Sequence, residues 1–122
     1  MSSEKGAMGG RAGQAELCAR IGVASAIVGS ADKAGVSRDT LAGGWPLNGV
    51  RLREEGGTCG WYIWSGQVLS EDPSFFVPLH IKHLLDARPE VEAYLGLPPG
   101  WRFLIAPGHE DVWFDENALD SN

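Results

Sequence analysis

The sequence predicts an α+β domain, an antiparallel sheet of about four to five strands with two to three helices packed against it. Three observations carry that expectation. Apolar and polar residues alternate over 50–53 and 101–106, apolar residues recur at helical spacing over 14–21 and 79–85, and Gly and Pro clusters separate these stretches. With 122 residues the chain holds one core, because two halves would each be too small to bury enough apolar surface. The expected organisation is a flexible tail over residues 1–13 and a single domain over 14–119.

Residues 1–13 are rich in Gly, Ser and Ala and offer no periodic apolar face, so burial does not offset the entropy of ordering them. From Gln14 onward Ala15, Leu17, Cys18 and Ile21 share one side of a helix, which Gly22 is placed to stop. Residues 23–28 read as a short strand, and 29–44, without a period, as a loop. Val50 and Leu52 alternate with Arg51 and Arg53, the pattern of a strand with one buried face. Trp61, Tyr62, Ile63 and Trp64 are apolar on both faces, so this partner strand is expected to be central and covered on both sides. Between the two strands, residues 55–58 supply glycines for a hairpin connection.

Asp72 followed by Pro73 is a helix-start signal, and Pro78 offers a second start. The stripe of Leu79, Ile81, Leu84 and Leu85 then ends near Arg88, ahead of Pro89. Val91, Tyr94 and Leu95 form a further short helical face. Trp101, Phe103 and Ile105 share one face of a strand, Pro107 and Gly108 mark a turn, and Val112 and Phe114 belong to a closing hairpin. Trp45, Trp61, Trp64 and Trp101 are expected in the core.

The formal charge of −6 disfavours direct contact with nucleic acid, whose phosphates are captured by clustered Lys and Arg. The charge is also uneven. Residues 1–53 carry 7 basic against 4 acidic side chains, and residues 54–122 carry 3 against 12. Such an acidic half either keeps a protein in solution or steers a basic partner to one face. Cys18 and Cys59 are far apart and form no CxxC, so a reducing compartment, the cytoplasm, is expected and neither a zinc ribbon nor a disulfide framework fits. The run Ile21 to Val28 resembles a secretion signal, but it is short and a long stretch containing Glu4 and Glu16 precedes it. No stretch approaches the roughly 20 apolar residues that span a bilayer.

Catalysis and cofactors are not expected. Ser65 lies in Trp64-Ser65-Gly66 rather than in a G-x-S-x-G elbow, and no phosphate-binding or dinucleotide fingerprint occurs. The alternative of a different class is a small metal- or ligand-binding module using His80, His83 and His109, with Cys59 as a further candidate ligand. It offers a single i, i+3 pair and no second pair in register. The cluster that points to binding is the last strand, where Asp111, Trp113 and Asp115 alternate onto one side. An indole between carboxylates is a fitting anchor for a basic protein partner. The plainer alternative is that Trp113 packs beneath a helix while the acids solubilise an edge. Candidate contact residues are Glu110, Asp111, Trp113, Asp115 and Glu116, joined by Glu71 and Asp72 from the loop before the helices. A structural subunit of a larger assembly would suit the same surface.

Four segments then carry a family resemblance: LNGVR at 47–51, GWYIWSG at 60–66, DPSFFVPLHIKHLL at 72–85 and YLGLPPGWRFLIAPGHEDVWFDE at 94–116. In that order they resemble bacterial immunity proteins encoded beside secreted polymorphic toxins, including effectors of type VI secretion. The N-terminal third lies outside the resemblance. It implies a non-enzymatic protein that neutralises a cognate toxin by tight association, and it brings no catalytic residues with it. Toxins that attack nucleic acid carry basic clefts, which an acidic inhibitor suits.

Overall fold

The computed structural model describes residues 11–54, 57–66, 70, 72 and 74–120. Helix α1 (Arg11–Ile21) begins ahead of Gln14 and stops at Gly22, whose φ of +81° is costly for any side chain. Strand β1 (Lys33–Ser37) leads into one turn of helix, α2 (Arg38–Leu41). Strands β2 (Leu47–Arg51) and β3 (Trp61–Ser65) follow as an antiparallel pair. Strand β4 (Phe76–His80) runs directly into α3 (Ile81–Ala87) and then a 3-10 helix (Pro89–Tyr94). The hairpin of β5 (Trp101–Ala106) and β6 (His109–Phe114), with the short α4 (Asn117–Asp120), completes the order.

The α+β class is as expected, but the sheet has six strands rather than four to five, in the order β4-β1-β3-β2-β5-β6. It is also mixed rather than antiparallel throughout: β1 runs parallel to β3, with Val36 beside Ile63, while every other pairing is antiparallel. Two of the six strands have no clear sequence signal. Lys33-Ala34-Gly35-Val36-Ser37 contains one β-branched residue, and its alternation is hidden by small side chains. The segment before β4 looks like a helix start because Asp72 accepts hydrogen bonds from both the Ser74 N–H and Oγ at 2.9 Å. Here that turn feeds a strand. Pro78 is tolerated in β4 because the strand lies at an edge, where one missing N–H need not break a ladder. Residues 23–28 are not a strand; their backbone is tied down instead by Ala26 N–H to the Gly96 carbonyl and by Gln14, which bonds both the N–H and the carbonyl of Val28.

One face of the sheet is packed under α1, α3 and the 3-10 helix. Its strand contribution is Ala34, Val36, Leu47, Trp61, Ile63, Phe103 and Ile105, all buried against Leu17, Cys18, Ile81, Leu84, Val91 and Leu95. Gly49 belongs to this face because the Phe103 ring lies across it, 2.2 Å from where a Cβ would stand. The surprise in this core is Arg51. The alternation in β2 is as expected, but its polarity is reversed: Arg51 is 3% exposed and Val50 faces the other way. The guanidinium lies within 5.9 Å of the Trp61 ring centre. Its Nε–H donates to the Cys59 carbonyl at 3.1 Å, and Nη1 donates to the carbonyls of Ala26 (2.7 Å), Leu97 (3.0 Å) and Leu95 (3.3 Å). Trp61 Nε1–H adds a further bond to Leu95 at 2.8 Å. The chain leaving the 3-10 helix therefore has its carbonyls satisfied by side chains rather than by a strand. Burial holds the Arg51 pKa below the ordinary guanidinium value.

Burial also raises the thiol pKa values of Cys18 and Cys59 and the phenol of Tyr94. In each case the folded protein keeps a proton that the unfolded chain releases, so the associated stability is complete below about pH 8 and declines as pH rises. The melting temperature is expected to fall between about pH 8 and about pH 10. A scan that rose over this interval would contradict the burial of these groups.

Candidate functional site

Among the described residues, the second face of the sheet has no helix layer, only the short α4 at one side. Across it, strand register aligns Trp113 of β6, Arg102 of β5, Val50 of β2, Tyr62 of β3 and Gly35 of β1 in one transverse row. Beside this row lie Trp64 and Phe76. Tyr62 lies flat over Gly35, where a Cβ would meet its ring at 2.6 Å, and its ring centre is 5.3 Å from that of Phe76, edge to face. Trp64 also meets Phe76 edge to face at 6.2 Å. These contacts lock the aromatic rings into a fixed floor.

Leu52 and Ala118 wall the floor on one side, with Asn117, so the surface is a trough of about 460 Å³. Its described lining is mostly apolar, with Arg102, Asp115, Asn117 and the Tyr62 phenol as the polar groups. The short α4 reaches this position because Asp115 accepts a hydrogen bond from the Asn117 N–H at 3.0 Å, while Arg53 Nε–H donates to the Leu119 carbonyl at 3.2 Å. Arg102 joins the trough to β6: Nη1 bonds the Asp115 carboxylate at 3.1 Å, and the guanidinium carbon sits 5.7 Å from the Trp113 ring centre. Trp113 remains 40% exposed.

The candidate contact residues divide between the two faces. Asp111, Trp113 and Asp115 come together on the open side, and Asp111 bonds the His109 ring at 3.0 Å. Glu116 is exposed beside them. Glu110 points to the helix side, where it accepts a hydrogen bond from the Tyr94 hydroxyl and lies 3.9 Å from Arg20. Burial, then the Glu110 carboxylate, raises the Tyr94 pKa. Asp72 lies before β4, at the opposite edge of a sheet whose five strand spacings of about 4.8 Å put β4 and β6 roughly 24 Å apart. The two hydrogen bonds from Ser74 lower its pKa. Glu71 lies outside the described residues.

The metal-binding alternative does not assemble. His80 and His83 have ring centres 6.0 Å apart at the β4 edge, whereas His109 is on β6 at the far edge. Among the described residues no three His, Cys, Asp or Glu side chains are grouped to hold a metal. Cys59 is buried in the core. Nor is any described helix long and apolar enough to cross a membrane.

Sequence reasoning missed the trough residues Val50, Tyr62, Trp64 and Phe76. Trp61, Trp64 and Trp101 are buried or half-buried, but Trp45, expected in the core, is 40% exposed and stacks on Arg88, whose guanidinium carbon is 4.6 Å from its ring centre. A family model described as Imm33-like domain matches residues 13–115. No curated protein and no solved structure matches the chain.

Proposed function

Because this chain belongs to the Imm33-like domain family, whose name marks it as an immunity-protein family, we propose that it neutralises a cognate secreted bacterial toxin by binding it directly in the cytoplasm of the producing cell. The protein acts by occlusion and makes or breaks no bond. The observation that carries this reading is the open sheet face, a preformed aromatic surface bordered by carboxylates on one edge strand. A surface of this kind suits protein recognition, where a few large aromatic side chains supply most of the affinity and the charged rim sets encounter rate and orientation.

The toxin is basic on the face it presents. A nuclease delivered by type VI secretion fits this description, since a cleft that holds phosphates also attracts Asp111, Asp115 and Glu116. Co-expression with the toxin encoded beside this gene tests the function: survival and co-purification support it, and death of the co-expressing cells refutes it. Turnover of a small substrate by the purified protein would refute it as well.

The charges make a separate prediction. Asp111→Lys combined with Glu116→Lys is expected to slow association about tenfold at low salt and far less at high salt, leaving dissociation nearly unchanged, because both side chains are exposed. Stopped-flow binding at two salt concentrations checks it. Asp115 is left intact in this variant because it also holds Arg102 and the start of α4.

A further inference from the structure

We propose that the trough on the open sheet face is the docking site for the toxin, and that it takes an apolar side chain carried on a basic segment. The inference rests on the immunity reading and adds the place of contact and the chemistry of the contacting segment.

Size and rigidity come first. A concavity of about 460 Å³ accommodates a bulky side chain. Its floor is already ordered, since Tyr62 is held across Gly35 and both Tyr62 and Trp64 abut Phe76. Little side-chain freedom is lost there on binding, so the burial of apolar surface is not spent on ordering the floor.

Charge then selects the occupant. Among the described residues, the cation lining the trough is Arg102, which Asp115 engages at 3.1 Å and the Trp113 ring at 5.7 Å. What the border offers a newcomer is carboxylate: Glu116 is exposed, and so is Asp111, whose carboxylate also meets the His109 ring at 3.0 Å. A segment with an apolar residue flanked by Lys or Arg satisfies floor and border together. A second copy of this chain does not, because a two-fold contact through this face sets the same acidic border against itself in a protein of net charge −6. A small ligand also fits poorly. Asp115 already holds both Arg102 Nη1 and the Asn117 N–H, which leaves the buried Arg102 Nε–H as the unpaired donor there, one polar group where a small ligand needs several to orient it.

The test is calorimetric titration of the full chain with an inactivated form of the toxin encoded beside it. Val50→Lys puts a cation in the trough floor and is expected to weaken binding at least tenfold. Leu41→Lys, at a residue 38% exposed on α2 and outside the trough, is expected to leave binding within twofold. If Val50→Lys does not fold, Phe76→Lys at the half-buried trough end replaces it. Binding by a folded trough variant within twofold of the original protein would overturn the proposal while leaving the immunity function standing. Failure of the original protein to bind the toxin would remove both. A dimer in sedimentation that Val50→Lys dissociates, or a small molecule released on denaturation and identified by mass spectrometry, would assign the trough to another occupant.

Discussion

Arg51→Met is expected to lower the free energy of unfolding by about 3–5 kcal/mol, a large share of the roughly 5–15 kcal/mol that holds such a domain folded. Methionine keeps much of the volume and removes every donor. Four carbonyls lose the guanidinium: those of Cys59, Leu95 and Leu97, whose bonds to it are buried, and that of Ala26, whose bond is part-buried. All four lose the bond from Arg51, and Leu95 keeps the Trp61 indole as a partner. Leaving buried polar groups unpaired costs about 1–3 kcal/mol each, less where a carbonyl retains another partner. Arg51→Lys, with one ammonium in place of a planar fork, is expected to fall between the two. The exposed neighbour provides the contrast, since Arg53→Met is expected to change stability by no more than about 1 kcal/mol. Urea unfolding of the three variants decides the matter. A loss below about 1 kcal/mol for Arg51→Met would mean that the carbonyls are satisfied without Arg51.

Trp113→Ala is expected to weaken toxin binding by about 2–4 kcal/mol, roughly 30- to 1,000-fold, mostly through faster dissociation. The indole is 40% exposed, so a large apolar area is still available to a partner. Arg102 beneath it restrains the ring, which reduces the entropy lost on contact. Phe114, one residue later, supplies the control. It is 48% exposed but belongs to the other face of β6, where its ring centre is 5.7 Å from that of Trp101. Phe114→Ala is expected to leave the affinity within about threefold. Equal losses in the two variants would place the toxin on the strand edge rather than on the open face, and no loss in Trp113→Ala would take the indole out of the interface.

Legibility differed from element to element for physical reasons. Strands β2, β3, β5 and β6 are visible because β-branched and aromatic residues alternate between turn residues, and Gly57, at φ +85°, lies in the expected β2–β3 connection. Strand β1 is hidden because a short central strand of small residues has no polar face to create a period. β4 is masked by the Asp72 turn, which uses the same local hydrogen bonding as a helix cap. The polarity of β2 is unreadable in a single strand: arginine ordinarily marks the wet side, and only the carbonyls from distant segments make a buried place for Arg51.

The same ambiguity concealed the trough. Tyr62 and Trp64 are apolar on the side away from the core, which reads as a strand covered twice; among the described residues the helix layer lies on the Trp61 and Ile63 side, and the other side meets only the short α4. The grouping of Asp111, Trp113 and Asp115 follows from strand periodicity alone, whereas Glu110, one position out of step, goes to the helix side. Nothing in the sequence separates Asp72 from this group, because its remoteness is a property of strand order.

The position of β1 has a consequence for synthesis. Its hydrogen-bonding neighbours are β3 and β4, both made later, so a nascent chain that ends before His80 carries Ala34 and Val36 with an unzipped flank. Translation must pass β4 before both flanks of β1 are paired, and the β5–β6 hairpin emerges later still. The sheet is thus complete only once nearly all of the described chain has been made.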